Sequence, residues 1–422
     1  MKGPLRPLAV LMLVATAAVY AVAALPAGHR ATPYLSIHAV MFALMLAAWR
    51  LAKTHEDTAF AVRVGIASRV ALLAAPTFTT TDVTRYLWDG AVALSGRDPY
   101  LLSPDSQVLA TLHARLPSDH LDVATCYPPA AVALFMLAAL TGPSLAWWTW
   151  KLLVVAASSA TSLLAWNHLK NKPNESDAVL AAWCPVLILE SGVGAHLDAF
   201  TALAVVAGVT LVARKREGAA ALALGCGVAV KLLPAVALLA LAGSVRRPVW
   251  FLARAMAPLA LSFAVAEGIG CSLPGSLPFV AENWSFAAPL WTLLYSLMPT
   301  DDAVTRRALA LSLIAAVMLI SMRRDPARAA RDGLTAQLVA SPVAYPWYGS
   351  GLAAVSAMAP SWLSLAAVAA LPFSYEVLDG YQGRGAWLPA WWPVALNAAA
   401  IVGGLGAEAV AAAGRFRRAL RG

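Results

Sequence analysis

Residues 198–234 read DAFTALAVVAGVTLVARKREGAAALALGCGVAVKLLP. Past Asp198 no charge interrupts the run until Arg214-Lys215-Arg216, and past Glu217 none interrupts it again until Lys231. A helix at a water-facing surface shows a polar stripe. Neither run has one, so lipid or protein must surround both. The cationic gap between them marks the cytoplasmic side, because short Lys- and Arg-rich connections stay inside. Arg246, Arg247 and Arg254 form the next such cluster. Residues 219–242 therefore begin and end on the same side and cross an even number of times. Two short, tilted segments meeting at Lys231-Leu232-Leu233-Pro234 meet that condition.

The same grammar extends over the 422 residues, of which 60% are hydrophobic and 13% charged. Soluble domains carry about 25% charged residues. The formal charge of +9 is accounted for by 21 of the 31 Lys and Arg in seven short gaps between apolar runs. No basic, aromatic-rich soluble module is present to carry it to a nucleic acid, so nucleic-acid partners are excluded and the bilayer is the partner the composition names.

Residues 8–25 follow Lys2 and Arg6 and read as a retained helix, with a cleaved signal as the rival. Residues 34–49 return inside and 64–78 go out, which puts 79–126 in a first extracytoplasmic loop. Residues 129–166 hold two apolar runs broken at Gly142-Pro143-Ser144, one of them re-entrant if Lys170 and Lys172 are cytoplasmic. Residues 178–194 go out, 198–213 return, 250–266 go out, and 267–302 form a second extracytoplasmic loop. Residues 303–321 return, a hairpin follows, and two final segments end with the basic tail inside. The expected fold is all-α: a single polytopic bundle over residues 1–422 with about 11–13 spans of roughly 20 residues. Arg306 and Arg307 run against this topology, which places them outside. The four cysteines lack metal-ligand spacing and read as small buried apolar residues; Cys126 and Cys271 both lie outside, where a bridge between them is allowed.

Within the first loop, Thr81–Gly90 reads TDVTRYLWDG. At 100° per residue Asp82, Arg85, Tyr86 and Asp89 share one stripe, with Val83, Leu87 and Leu94 on the other side. Thr79, Thr80 and Thr81 are candidate caps, Asp82 lies in the first turn where the helix dipole favours an anion, and Gly96-Arg97-Asp98-Pro99-Tyr100 ends the pattern. This spacing predicts an interfacial amphipathic helix with its charged side facing a cavity. Solubilising Asp82–Arg85 and Arg85–Asp89 pairs are the plainer reading. An ionisable group at the end of a span is costly unless it has a function, and that favours Asp82 as a site residue.

TDVTRYLWDG, GRDPY at Gly96–Tyr100 and YPP at Tyr127–Pro129 resemble the first outer loop of bacterial GT-C glycosyltransferases. The resemblance is to those that use polyprenyl-phosphate sugars, mannosyltransferases above all. It continues through ESGVGAHLDA at Glu190–Ala199, KLLP at Lys231–Pro234, ENWSF at Glu282–Phe286 and SPVAYPWY at Ser341–Tyr348. Five blocks in order are specific for the superfamily and much less so for the sugar. Many relatives carry His before Pro-Trp-Tyr. Here the residue is Tyr345, which can donate a hydrogen bond but is no base near neutral pH.

The resemblance implies an inverting hexosyl transfer, with mannose the favoured sugar, in a bacterial inner (plasma) membrane with the active site on the extracytoplasmic side. Its partners would be a polyprenyl-phosphate sugar donor and a glycolipid or glycan acceptor. The phosphate leaving group is already an anion, so one general base and cationic groups suffice, without the paired carboxylates of a glycosidase. By resemblance Asp82 is the base. Lys231 meets the donor phosphate, with Arg85 as a second candidate. Asp89, about 10 Å along the helix from Asp82, binds sugar or orients Arg85. Tyr86, Tyr127, Tyr345, Trp284, Trp347 and Tyr348 line the sugar or lipid groove, His196 and Asp198 lie on the same face, and Glu190 pairs with one of the cations. No cofactor follows; a divalent cation stays open, with no complete ligand set in sequence. A transporter or a non-catalytic membrane subunit is the alternative. A transporter would show repeated halves, which are absent, although Arg69 inside a span suits one.

Overall fold

The computed structural model describes residues 4–106, 121–297, 303–322 and 324–419. Residues 107–120 of the first expected loop and 298–302 of the second lie outside them. The described chain is helical, with one isolated bridge between Phe286 and Val343 as its extended pairing. In chain order the helices are α1 Leu5–Ala23, α2 Ala31–Leu51, α3 His55–Ala71, α4 Asp82–Leu94, α5 Pro129–Ala139, α6 Ala146–Leu169, α7 Ala178–Ala182, α8 Pro185–Gly192, α9 Asp198–Ala213 and α10 Glu217–Val230. They continue as α11 Ala235–Ala242, α12 Pro248–Gly268, α13 Leu277–Asn283, α14 Pro289–Leu297, α15 Ala303–Ser321, α16 Pro326–Ala340, α17 Ser350–Ser356, α18 Trp362–Ala370, α19 Val377–Arg384 and α20 Trp392–Ala419.

Among the described residues, seven stretches are helical, apolar and long enough to cross a bilayer, while α5, α9 and α10 are shorter apolar helices. The outward faces of α12, α15 and α20 leave large apolar side chains such as Trp250, Leu261, Leu311 and Val402 uncovered. Apolar area of this extent on a folded chain belongs against lipid, and the protein is a multi-pass membrane protein. At the centre, α9 packs against α6, α10 and α17, and α7 and α8 are buried along their whole length.

Several breaks fall where the chemistry of the backbone demands them. The 219–242 stretch splits into α10 and α11 at Lys231–Pro234, with Lys231 in extended backbone. The 129–166 stretch splits at Gly142, whose φ is +81°, and α5, with 11 residues, spans only about 16 Å. The expected unbroken run 178–194 is instead α7 and α8, separated at Trp183-Cys184-Pro185, because Pro185 at the first turn of α8 supplies no N–H to continue α7. The run expected at 64–78 is also displaced: α3 occupies His55–Ala71 because Thr54 and Asp57 form a reciprocal capping box that starts the helix early. The second expected loop contains α13 and α14. All four cysteines are free, so Cys126 and Cys271 are not bridged.

Two buried cations hold the broken segments together. Arg69 donates to the carbonyls of Gly65, Ala181 and Ala182 at 2.9, 3.0 and 2.8 Å and to Ser158 Oγ at 2.9 Å. It thereby satisfies acceptors freed where α7 ends, and this structural task accounts for an arginine inside a span without transport. Lys151 on α6 donates to the carbonyls of Leu72, Ala75 and Gly192. This ties the chain leading into α4 to the end of α8, and so places the two segments on which the candidate site is built.

Candidate active site

Asp82 opens α4, and Thr80, rather than Thr81, supplies the side-chain oxygen at that terminus: the Asp82 N–H donates to Thr80 Oγ1 at 3.0 Å. The charged stripe of α4 turns inward. Tyr86 and Asp89 are buried, Arg85 is mostly so, and the Asp82 side chain keeps 30% of its exposure. Gly90 lets α4 approach α5 so closely that a Cβ there would lie 2.5 Å from the Phe135 carbonyl.

Asp82 accepts a hydrogen bond from Tyr86 Oη at 3.2 Å. Its other neighbour is His196, whose Nε2 stands 3.8 Å from Oδ2. His196 Nδ1 is 2.9 Å from Glu190 Oε2, and Tyr375 Oη donates to both Glu190 oxygens at 2.9 and 3.0 Å. The expected partner of Glu190 was a cation among the site residues; the structure gives it His196 and Tyr375. The turn that makes this contact is ESGVGAH. Ala195 takes a φ of +49°, and Gly194 is required because a Cβ would come within 2.4 Å of His196 Nδ1.

Asp198 begins α9, where the dipole again favours an anion, and both its oxygens are 2.8–3.0 Å from Lys231 Nζ. Lys231 also lies over the Tyr348 ring, 4.3 Å from its centroid, a cation–π contact. The 310 turn Pro346–Gly349 presents Trp347, which stacks on His196 at 3.9 Å on one side and is stacked with Tyr345 at 4.4 Å on the other. The Phe286 N–H donates to the Pro342 carbonyl and the Ala344 N–H to the Phe286 carbonyl, at 2.9 and 2.8 Å. That pairing brings Trp284 into the apolar cluster with Tyr345 and Tyr348.

Arg85 and Asp89 form a layer behind Asp82. Arg85 Nε donates to Asp89 Oδ1 at 2.9 Å, and the same guanidinium donates to the Val123 carbonyl. Burial pushes the Asp89 carboxyl up, and Arg85 and a hydrogen bond from Thr125 oppose that rise. Tyr127 stands edge-on to Tyr86, with centroids 5.3 Å apart. Burial pushes the hydroxyls of Tyr127, Tyr345 and Tyr348 up. They stay neutral donors across the physiological range, which fits the loss of basic function at position 345.

The sequence blocks that lie far apart in the chain thus meet in one contact network. Asp82, Tyr86, Tyr127, Glu190, His196, Trp347 and Tyr345 form one side; Asp198, Lys231 and Tyr348 form the other; Trp284 joins through the pairing at Phe286, and Arg85 with Asp89 back it. Tyr375 is an addition that sequence reasoning missed. Its only sequence signal is the SYE triplet at Ser374–Glu376, polar residues late in an apolar run. Among the described residues no three His, Cys, Asp or Glu side chains gather as a metal site requires.

The sequence profile of a family described as Alpha-(1->6)-mannopyranosyltransferase, N-terminal domain, matches residues 8–247, more than half of the chain. The match covers Asp82, Arg85, Tyr86, Asp89, Tyr127, Glu190, His196, Asp198 and Lys231, and stops short of Trp284 and the Tyr345–Tyr348 tip. No curated protein and no solved structure matches the chain.

Proposed function

The chain belongs to the alpha-(1->6)-mannopyranosyltransferase family, and on that footing we propose that it transfers a mannosyl group, with inversion, from a polyprenyl-phosphate carrier to a hydroxyl of a glycolipid or glycan. In this reading the whole chain is one membrane domain and the site opens to the extracytoplasmic side of a bacterial plasma membrane. The observation that carries it is a part-exposed carboxylate, Asp82, in one contact network with a partly buried ion pair, Asp198–Lys231, and a wall of aromatic rings.

Each part has a chemical task. Asp82 accepts the proton of the attacking hydroxyl as that oxygen bonds to C1. The bond from C1 to the phosphate oxygen breaks, and its electron pair leaves on the phosphate. In this reading Lys231 meets that charge, exchanging part of its contact with Asp198 for the phosphate oxygens, and a phosphate needs such a cation rather than a general acid. Tyr345, Trp347, Tyr348 and Trp284 offer ring faces and hydroxyl donors to the sugar and the isoprenoid. Arg85, held by Asp89 and the Val123 carbonyl, acts on the position of Asp82 through the helix they share.

The test is transfer by the purified full-length chain in nanodiscs, given radiolabelled polyprenyl-phosphate mannose and membrane glycolipids from a strain lacking the gene. Label moving into an α-linked product, with polyprenyl phosphate released, is the expected result. Transfer from a nucleotide sugar but not from the lipid-linked donor would contradict the proposal.

A further inference from the structure

Four facts meet at His196. Its ring is buried, and Nε2 has no hydrogen-bond partner although it is shielded from solvent. A buried polar atom left in that state is uncommon and asks for an explanation. Nδ1 is occupied by Glu190, which is occupied in turn by the Tyr375 hydroxyl. The bare Nε2 faces Asp82 Oδ2 across 3.8 Å, too long for a hydrogen bond.

Tyr375 donates to the Glu190 carboxyl, and with its proton on Nδ1 the His196 ring donates to the same carboxyl. That tautomer leaves Nε2 as an acceptor facing Asp82. The gap closes when Asp82 takes up a proton, because Oδ2–H can then donate to Nε2. The Trp347 ring stacked on His196 at 3.9 Å prevents the imidazole from turning away.

We infer that Tyr375, Glu190 and His196 form a relay that receives, at His196 Nε2, the proton Asp82 removes from the acceptor hydroxyl. The inference rests on the transfer reaction proposed above and adds to it what becomes of the proton. As the acceptor oxygen bonds to C1 and the C1–phosphate bond breaks with its electron pair going to phosphate, the hydroxyl proton passes to Asp82 Oδ2. From there it is donated to Nε2, or transferred outright, with the Glu190 carboxylate stabilising the imidazolium as the third member of a hydrolase triad does. The proton later leaves by Asp82, the member of the group that reaches solvent. His196 acts through Asp82, and Glu190 and Tyr375 are positioning residues.

The groups that face the ring are Asp82 from α4, Glu190 from α8, Tyr375 beyond α18 and the stacked Trp347; Tyr34 of α2 faces Tyr375, ring to ring, at 5.8 Å. Turnover and KM for both substrates, measured against pH for the wild-type chain, His196→Gln, Glu190→Gln and Tyr375→Phe, test the relay. His196→Gln is expected to lose roughly tenfold or more in turnover, with donor KM unchanged because Lys231 is untouched. In Glu190→Gln the anion that favours imidazolium is gone, so the fall of rate on the acid side should move to lower pH. A packing role would not move that limb. Tyr375→Phe, which removes one oxygen from a buried ring, should lower turnover by a few fold.

Wild-type turnover and an unmoved pH profile in His196→Gln would overturn the relay while leaving the transferase intact. The relay is equally overturned if Glu190→Gln loses rate with no movement of the acid limb, a readout that holds even where a His196 variant is too unstable to purify. Failure of the wild-type chain to use any polyprenyl-phosphate mannose would remove the transferase reading and the relay with it.

Discussion

A methyl group added at Gly194 would lie 2.4 Å from His196 Nδ1 and 2.8 Å from Glu190 Oε2. Gly194→Ala should therefore force the pair apart and reduce transfer by roughly tenfold or more, as expected where an acid–base group is displaced, while the protein still elutes as a single species. Full activity in that variant would show that the spacing is unimportant. At Lys231 the expectation is different. Lys231→Gln keeps the stem over Tyr348 but loses the charge, and a hydrogen bond to a charged group is worth about 1.5–3 kcal/mol. Donor KM should rise on the order of ten- to a hundredfold, with acceptor KM little changed. Residues of this kind were legible where the signal was local: Asp82, Arg85, Tyr86 and Asp89 fall on one stripe of a single helix. Tyr375 was not, because its partner Glu190 lies 185 residues away and nothing in a lone Tyr near the end of an apolar run points to it.

At the scale of helices, α4 was readable from its stripe and from Gly96, whose φ of +74° ends it. The stripe was expected to face a cavity; what could not be read was how deeply it is buried, and here Asp89 and Tyr86 turn into protein because Gly90 opens a close seat against Phe135. Gly90→Ala would overpack that seat at a cost of about 1–3 kcal/mol, and a lower thermal midpoint in detergent should accompany a loss of transfer. An unchanged midpoint would mean α4 can slide without penalty. The division of 178–194 into α7 and α8 was missed for a similar reason: the apolar run is continuous, and the break depends on Pro185 together with Arg69, which reaches from α3 to take the carbonyls left over. Arg69→Met takes the guanidinium from the Ala182 carbonyl and leaves the Ala181 carbonyl only its Ser162 hydroxyl, and an unsatisfied buried group costs about 1–3 kcal/mol. The variant should lose far more stability than Arg97→Met on the exposed turn after α4; equal midpoints would deny Arg69 its structural role.

For the whole molecule, composition and the cationic gaps were enough to name an all-α, multi-pass bundle, because hydrocarbon leaves few ways to satisfy a backbone. The exact crossings were not, since α5, α7, α8 and α11 are too short to cross alone and only their packing says which pairs act together. The proposed topology puts the turn after α4 outside and the Arg214–Arg216 turn inside. In a cysteine-free background, Arg97→Cys should react with an impermeant maleimide on intact cells and Lys215→Cys only after permeabilisation; the reverse pattern would place the site on the wrong side for the lipid-linked donor. The chemistry proposed for the molecule depends above all on a carboxylate at position 82 as the base. It is probed by the mannosyl transfer rate of Asp82→Asn beside the wild type, at saturating donor in the same nanodiscs. The rate should fall about a hundredfold or more, with donor KM and elution profile preserved. Turnover at the wild-type rate would rule out Asp82 as the base.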